Sequence, residues 1–129
     1  IAVWSGGGFN VSYLRNIAWL TGKDILYWGD IDEHGFQMLH QLRSYYPNTQ
    51  SIMMDYKTFE HFSEFAVAGA RNKSEQLSLL NEEEYKLFEW LKMMDKNRLE
   101  QEKISQGYVE EYLKSFFQLF QQQRDKEKK

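Results

Sequence analysis

Two aspartates stand two residues apart just after an apolar run, in Tyr27-Trp28-Gly29-Asp30-Ile31-Asp32-Glu33-His34-Gly35. In an extended segment, residues i and i+2 point the same way, so Asp30 and Asp32 can turn both carboxylates toward one ion. Hard cations such as Mg2+ accept one or two carboxylates, keep waters, and take further oxygens from substrate phosphates. A helix beginning just after the pair directs its positive end to the same place and favours a phosphate there. Gly35, lacking a Cβ, lets a ligand or another segment come close, and His34 either assists or points to solvent. The plainer reading is that Asp30 or Asp32 caps the helix, an interaction worth about 1 kcal/mol. Asp30 and Glu33 even have capping-box spacing, although the box usually opens with Ser or Thr. Two acids rather than one, at the end of an apolar run, tilt the balance toward a metal.

Other residues are less specific. Ser5-Gly6-Gly7-Gly8 could cradle a phosphate through backbone amides, but it lacks the lysine ending of a P-loop and the dinucleotide-binding spacing. A flexible turn is its simpler use. Asp55 falls at another strand end, where capping the segment near Thr58 is the simpler role. Glu100 and Glu102, if helical, diverge too far to share one ion. One of them could face the site while the other pairs with Arg98 or Lys103; a solvated charged face is the ordinary alternative. His40 and His61 have no zinc spacing, and no serine–histidine arrangement suggests acyl transfer.

These residues need a scaffold. Residues 1–4 (IAVW), 25–28 (ILYW) and 51–54 (SIMM) read as short buried strands. Residues 9–20 have helical spacing, with Val11, Leu14 and Ala18 on one face. A second helix over 33–46 buries Met38, Leu39, Leu42 and Tyr45 or Tyr46, and ends before Pro47. Strands alternating with helices through short connections predict a parallel sheet with right-handed crossovers. Continuous apolar strands predict helices on both faces. Ligands in such sheets sit beyond the carboxyl ends of the strands, where Ser5, Asp30, Asp32 and Asp55 fall. Beyond this α/β core (residues 1–65), residues 58–65 suggest a short helix and 66–78 a surface loop. Asn81 caps a helix with Leu87, Phe88, Leu91 and Met94 on its apolar face. A last helix carries Val109, Tyr112, Leu113, Phe116, Phe117 and Phe120. The helical C-terminal extension thus covers residues 66–120 and packs on the core, and residues 121–129 form a polar tail expected to fray.

Composition narrows the classes. The 129 residues are 42% hydrophobic and 27% charged, enough for one domain with one core, and no apolar run approaches a membrane span. The absence of cysteine excludes a disulfide framework, a thiolate zinc site and a cysteine nucleophile, and it fits a cytoplasmic protein. A net charge of −3 argues against strong non-specific nucleic-acid binding by the whole surface. The start at Ile1, inside a strand and without methionine or signal peptide, is the pattern expected of a piece of a longer protein.

The Asp30-x-Asp32-x-x-Gly35 pattern resembles the DxDxxG motif of Toprim domains. A wider set of segments resembles the C-terminal domain of the Wadjet D-subunit family. These are Ser5-Gly6-Gly7-Gly8, Ala18-Trp19-Leu20, Tyr27 through Phe36, Leu42-Arg43, Ser51-Ile52-Met53-Met54-Asp55 and Arg98-Leu99-Glu100-Gln101-Glu102. The likeness runs from Ile1 to about Tyr112. It implies a Toprim-like parallel sheet, similar to that of the type IIB topoisomerase A subunit. It also implies a role in bacterial defence against plasmids, in which a condensin-like motor complex recruits a DNA endonuclease dependent on Mg2+ or Mn2+. Family members are typically homodimers facing double-stranded DNA. The resemblance makes Asp30 and Asp32 catalytic metal ligands and places Glu100 as a further ligand and Glu102 as a further catalytic residue. Gly7, His34 and Gly35 are then near the DNA phosphate. It also places a catalytic glutamate on a strand expected to precede Ile1. Two other classes are weighed against this one: a non-catalytic Toprim-like module for dimerisation or partner docking, and a haloacid-dehalogenase-like phosphotransferase. The second fits poorly, since His34 stands where that class has Thr or Val.

Overall fold

A computed structural model describes residues 2–5, 24–71 and 76–127. The helix expected over 9–20 and the glycine turn with Gly7 lie outside the described residues. Three strands, β1 (Ala2–Ser5), β2 (Ile25–Trp28) and β3 (Thr49–Ser51), form a parallel sheet in the order β1-β2-β3. Val3 registers with Leu26, and Leu26 with Gln50. The central strand is apolar because both of its faces are covered. Ile25 and Tyr27 pack into the larger core with Phe36, Leu39 and Leu42 of helix α1 (Glu33–Tyr45) and with Leu87, Phe88 and Leu91 of α3 (Glu82–Leu91). Leu26 points the other way, joining Ile52 and Met53 beneath Tyr108, Tyr112, Leu113 and Phe116 of the last helix, α4 (Gln106–Glu127). This is the period-two alternation of a strand between two layers.

The third strand lies earlier than its apolar run suggests: 49–51 rather than 51–54. The ladder beside β2 stops because the chain bends. Ile52 N–H still donates to Tyr27 O at 2.9 Å, but Met53 adopts a left-handed backbone with φ 57°. Ile52 and Met53 are apolar because they fill the core under α4, and Met54 because it joins the larger core, not because they extend the sheet. Tyr112 packs against that bend from the last helix and lies within electrostatic reach of Asp55. The segment expected to be one helix over 58–65 is α2 (Tyr56–His61) followed by a 3-10 turn (Ser63–Phe65). Asp55 caps α2, accepting from Thr58 N–H at 2.8 Å. The expected tail is helical as far as Glu127, since Gln, Lys and Glu are good helix formers and nothing there breaks the turn. No helix among the described residues is long and apolar enough to cross a membrane.

One buried ion pair ties α1, β3 and α3 together. Asn81 and Glu84 form a reciprocal capping box at the start of α3. The same Glu84 receives Arg43 of α1 at 2.5 and 3.1 Å and Ser51 Oγ of β3 at 2.5 Å. Arg43 Nε donates on to Thr49 O at 2.9 Å. Burial pushes the Glu84 carboxyl up, but bonds from Arg43, Ser51 and the Asn81 amide outweigh it and hold it below its usual 4.5. A carboxyl whose pKa is lower folded than unfolded stabilises the fold above its unfolded pKa. That contribution is lost as pH falls through the folded value. Urea titrations are therefore expected to show stability declining as pH drops below about 4.5, with a flatter decline in Glu84→Gln. Glu84→Ala leaves the Arg43 charge without its partner and should cost about 3–5 kcal/mol.

Candidate functional site

Beyond Trp28 the backbone stays extended long enough for side chains to keep alternating. Ile31 is fully buried, and Asp30 and Asp32 flank it. A later segment crosses this loop in antiparallel fashion. Ile31 N–H donates to Leu99 O at 2.9 Å, and Leu99 N–H donates back to Ile31 O at 3.0 Å. One residue earlier, Arg98 and Val67 exchange a second pair of backbone bonds, at 2.8 and 2.9 Å. Arg98 is thereby pinned beside the acidic loop. Its stem lies on Gly69, where a Cβ would come within 2.8 Å of Arg98 Cβ.

Each aspartate is held by one oxygen and presents the other. Asp30 Oδ1 accepts Gln101 N–H at 2.8 Å, and Asp32 Oδ1 accepts Gly35 N–H at 2.5 Å. Both Oδ2 atoms face one guanidinium: Arg98 Nη2 is 3.3 Å from Asp30, and Arg98 Nε is 3.5 Å from Asp32. Burial pushes the Asp32 carboxyl above its usual range. The Gly35 amide opposes this, the Asp30 charge adds to it, and Arg98 and His34 counter it. Tyr27 lies beneath, its buried hydroxyl without a hydrogen-bond partner among the described residues. Burial raises its pKa, and the charges of Asp32 and Asp30 raise it further.

The two readings of the acidic pair therefore coexist. Asp32 is the N-cap of α1, with an extended backbone and its side chain on Gly35 N–H. Asp30 caps nothing in α1; it binds the crossing segment. Gly35 is required by the loop's own backbone: a Cβ there would sit 2.1 Å from Asp30 O. His34 is exposed on the first turn of α1, within electrostatic reach of Asp32. Glu100 and Glu102 do not diverge as a helix would require. Glu100 is extended and precedes a 3-10 turn (Gln101–Lys103), and the two carboxyls hydrogen-bond each other. The neighbouring Glu102 carboxyl lowers the Glu100 pKa, while the Glu100 carboxyl and its charge raise that of Glu102, with the Asp30 charge adding to the latter.

Glu33 is a site residue that sequence reasoning overlooked. It is 1% exposed, accepts Asn97 Nδ2 at 2.9 Å, and lies 3.5 Å from Arg71. Asn97 Oδ1 in turn receives Gly69 N–H at 2.7 Å, so this buried link braces the segment that carries Arg98. Its one sequence signal is the three-residue spacing to Phe36, which puts Glu33 on the inward side of α1.

Two aspartate oxygens facing a single cationic group, each steadied through its companion oxygen by a backbone amide, form a donor set that suits a hard cation. Among the described residues, no three His, Asp or Glu side chains converge closely enough to enclose one. A cleft of about 550 Å³ opens elsewhere, past the end of β3, lined by Ser51, Asp55, Glu84, Trp90 and Tyr112. Asp30 and Asp32 do not line it; the Asp30 side chain is 25% exposed and that of Asp32 10%.

Fold and site together define an α/β domain with paired aspartates beyond the carboxyl end of the central strand of a parallel sheet. The chain matches the family model described as Wadjet protein JetD, C-terminal, over residues 1–113, and it belongs to that family. No curated protein matches it.

The Gly35 geometry makes a direct prediction. Gly35→Ala forces the Asp30 carbonyl and the α1 start apart and is expected to destabilise the domain by about 2–4 kcal/mol. Chemical denaturation measures this; a loss below about 1 kcal/mol would mean that the loop can shift to accept a methyl group.

Proposed function

We propose that this domain is the DNA-cutting part of a Wadjet JetD protein: a Toprim-like, metal-dependent endonuclease that hydrolyses phosphodiester bonds of double-stranded DNA. Family membership supplies the plasmid-defence setting and the multi-subunit context. The observation that carries the chemical reading is the presentation of two anchored aspartate oxygens to one cationic group. Asp30 and Asp32 would hold Mg2+ or Mn2+, with Glu100 at the rim. The bound ion would supply Lewis-acid stabilisation of the charge that develops on the phosphate. The chain's own groups do the rest. Gln101 and Gly35 amides fix the carboxylates, the α1 N-terminus with His34 favours a phosphate beside them, and Glu102, the further catalytic residue of this reading, stands next to Glu100 at the rim. The partners in this reading are double-stranded DNA, the condensin-like motor complex and a second copy of the protein, and the setting is the cytoplasm.

A second reading, a non-catalytic docking module, is favoured by the exposed Phe117 and Leu119 of α4, 40% and 62% accessible. Plasmid nicking by the full-length protein with Mn2+ separates the two. Asp30→Ala and Asp32→Ala are each expected to lower the rate about a hundredfold or more, the scale of losing a group that stabilises transition-state charge. Nicking that persists in both variants would remove the nuclease reading.

A further inference from the structure

The Arg98 guanidinium lies where a cation bound by Asp30 and Asp32 would lie. Three features argue that it is more than a strut. First, the segment that carries it is already fixed by the Ile31–Leu99 and Val67–Arg98 backbone bridges and by Gln101 N–H on Asp30. The guanidinium is not needed to hold the crossing in place. Second, its grip on the carboxylates is loose. One long hydrogen bond reaches Asp30 at 3.3 Å, and Nε, buried and without a hydrogen-bond partner among the described residues, lies 3.5 Å from Asp32 Oδ2. A bidentate arginine–carboxylate fork is usually shorter, about 2.7–2.9 Å. Third, the Arg98 side chain remains 39% exposed, so it has a route outward that the backbone bridges do not block.

We propose that Arg98 is a displaceable internal counter-cation. In the ion-free domain it neutralises the Asp30–Asp32 pair. A divalent ion entering the site must evict it, and the evicted guanidinium then stands beside the ion, free to take a phosphate oxygen. This rests on the metal-site reading above and adds a competition to it. Arg98 is a positioning residue for the acidic pair, and its presence weakens metal affinity while it protects the empty site.

Calorimetric titration of the full-length protein with Mn2+ tests the competition, alongside thermal unfolding in EDTA and in Mn2+. Arg98→Gln is expected to bind Mn2+ about three- to tenfold more tightly, the range set by a partly exposed ion pair. It should also melt lower in EDTA and gain more from Mn2+ than the native protein does. Arg98→Lys keeps a charge but loses the fork, so it should fall between the two, and it serves if Arg98→Gln does not fold. If Mn2+ binds the native protein and is lost in Asp30→Asn, yet Arg98→Gln and Arg98→Lys bind equally or more weakly, the competition is wrong and the metal site stands. If no protein shows binding that depends on Asp30 and Asp32, the metal reading itself fails and this inference falls with it.

Discussion

The site depends on two backbone hydrogen bonds between Ile31 and Leu99. They join residues far apart in the sequence at the point where the central strand has just ended. Without them the acidic loop would be an ordinary strand-to-helix connection. Arg98, Gln101 and the Glu100–Glu102 pair would sit on an unrelated surface. With them, every charged group of interest stands within a few residues of one crossing point. The crossing is braced from behind by Glu33, Asn97 and Gly69, whose buried bonds are shielded from water and so weigh more than their number suggests.

The rest of the fold supplies rigidity to that crossing. The sheet is short, and its stiffness comes from the layers on either side. On one side, α1 and α3 are locked by Phe36 against Phe88 and by the Arg43–Glu84–Ser51 bonds. On the other, α4 covers Leu26, Ile52 and Met53. The left-handed turn at Met53 lets Ile52 and Met53 drop under α4 while Met54 joins the larger core, and Tyr112 packs on that turn from the helix above. A β2 clamped on both faces gives the loop that follows it a fixed starting direction.

Much of this was legible in the sequence. The central strand and α1 follow from uninterrupted apolar runs and helical periodicity, which depend on local patterns. The Asn81 cap and the Asp55 cap were readable for the same reason. The third strand was misplaced because Ser51-Ile52-Met53-Met54 has the composition of a strand, while its backbone is decided by packing under α4. The Asp30–Asp32 pair stood out by spacing, but its partner did not: nothing in Arg98-Leu99-Glu100-Gln101-Glu102 announces a non-local bridge to Ile31. The same gap hid Glu33, whose burial is made tolerable only by Asn97 from a distant segment. The relation of Glu100 to Glu102 was obscured by assuming helical geometry, where a 3-10 turn lets the two carboxyls meet.

Ile31 sits between the two aspartates with its side chain wholly in the core. A shift of the loop by one residue would drive a carboxylate into that apolar pocket and set an isoleucine among the charged groups, an exchange costing several kcal/mol. The acids and the isoleucine therefore proofread one another. The same alternation that aims both carboxylates at Arg98 also rejects every neighbouring alignment of the crossing segment, so the charged cluster is assembled in one register or not at all.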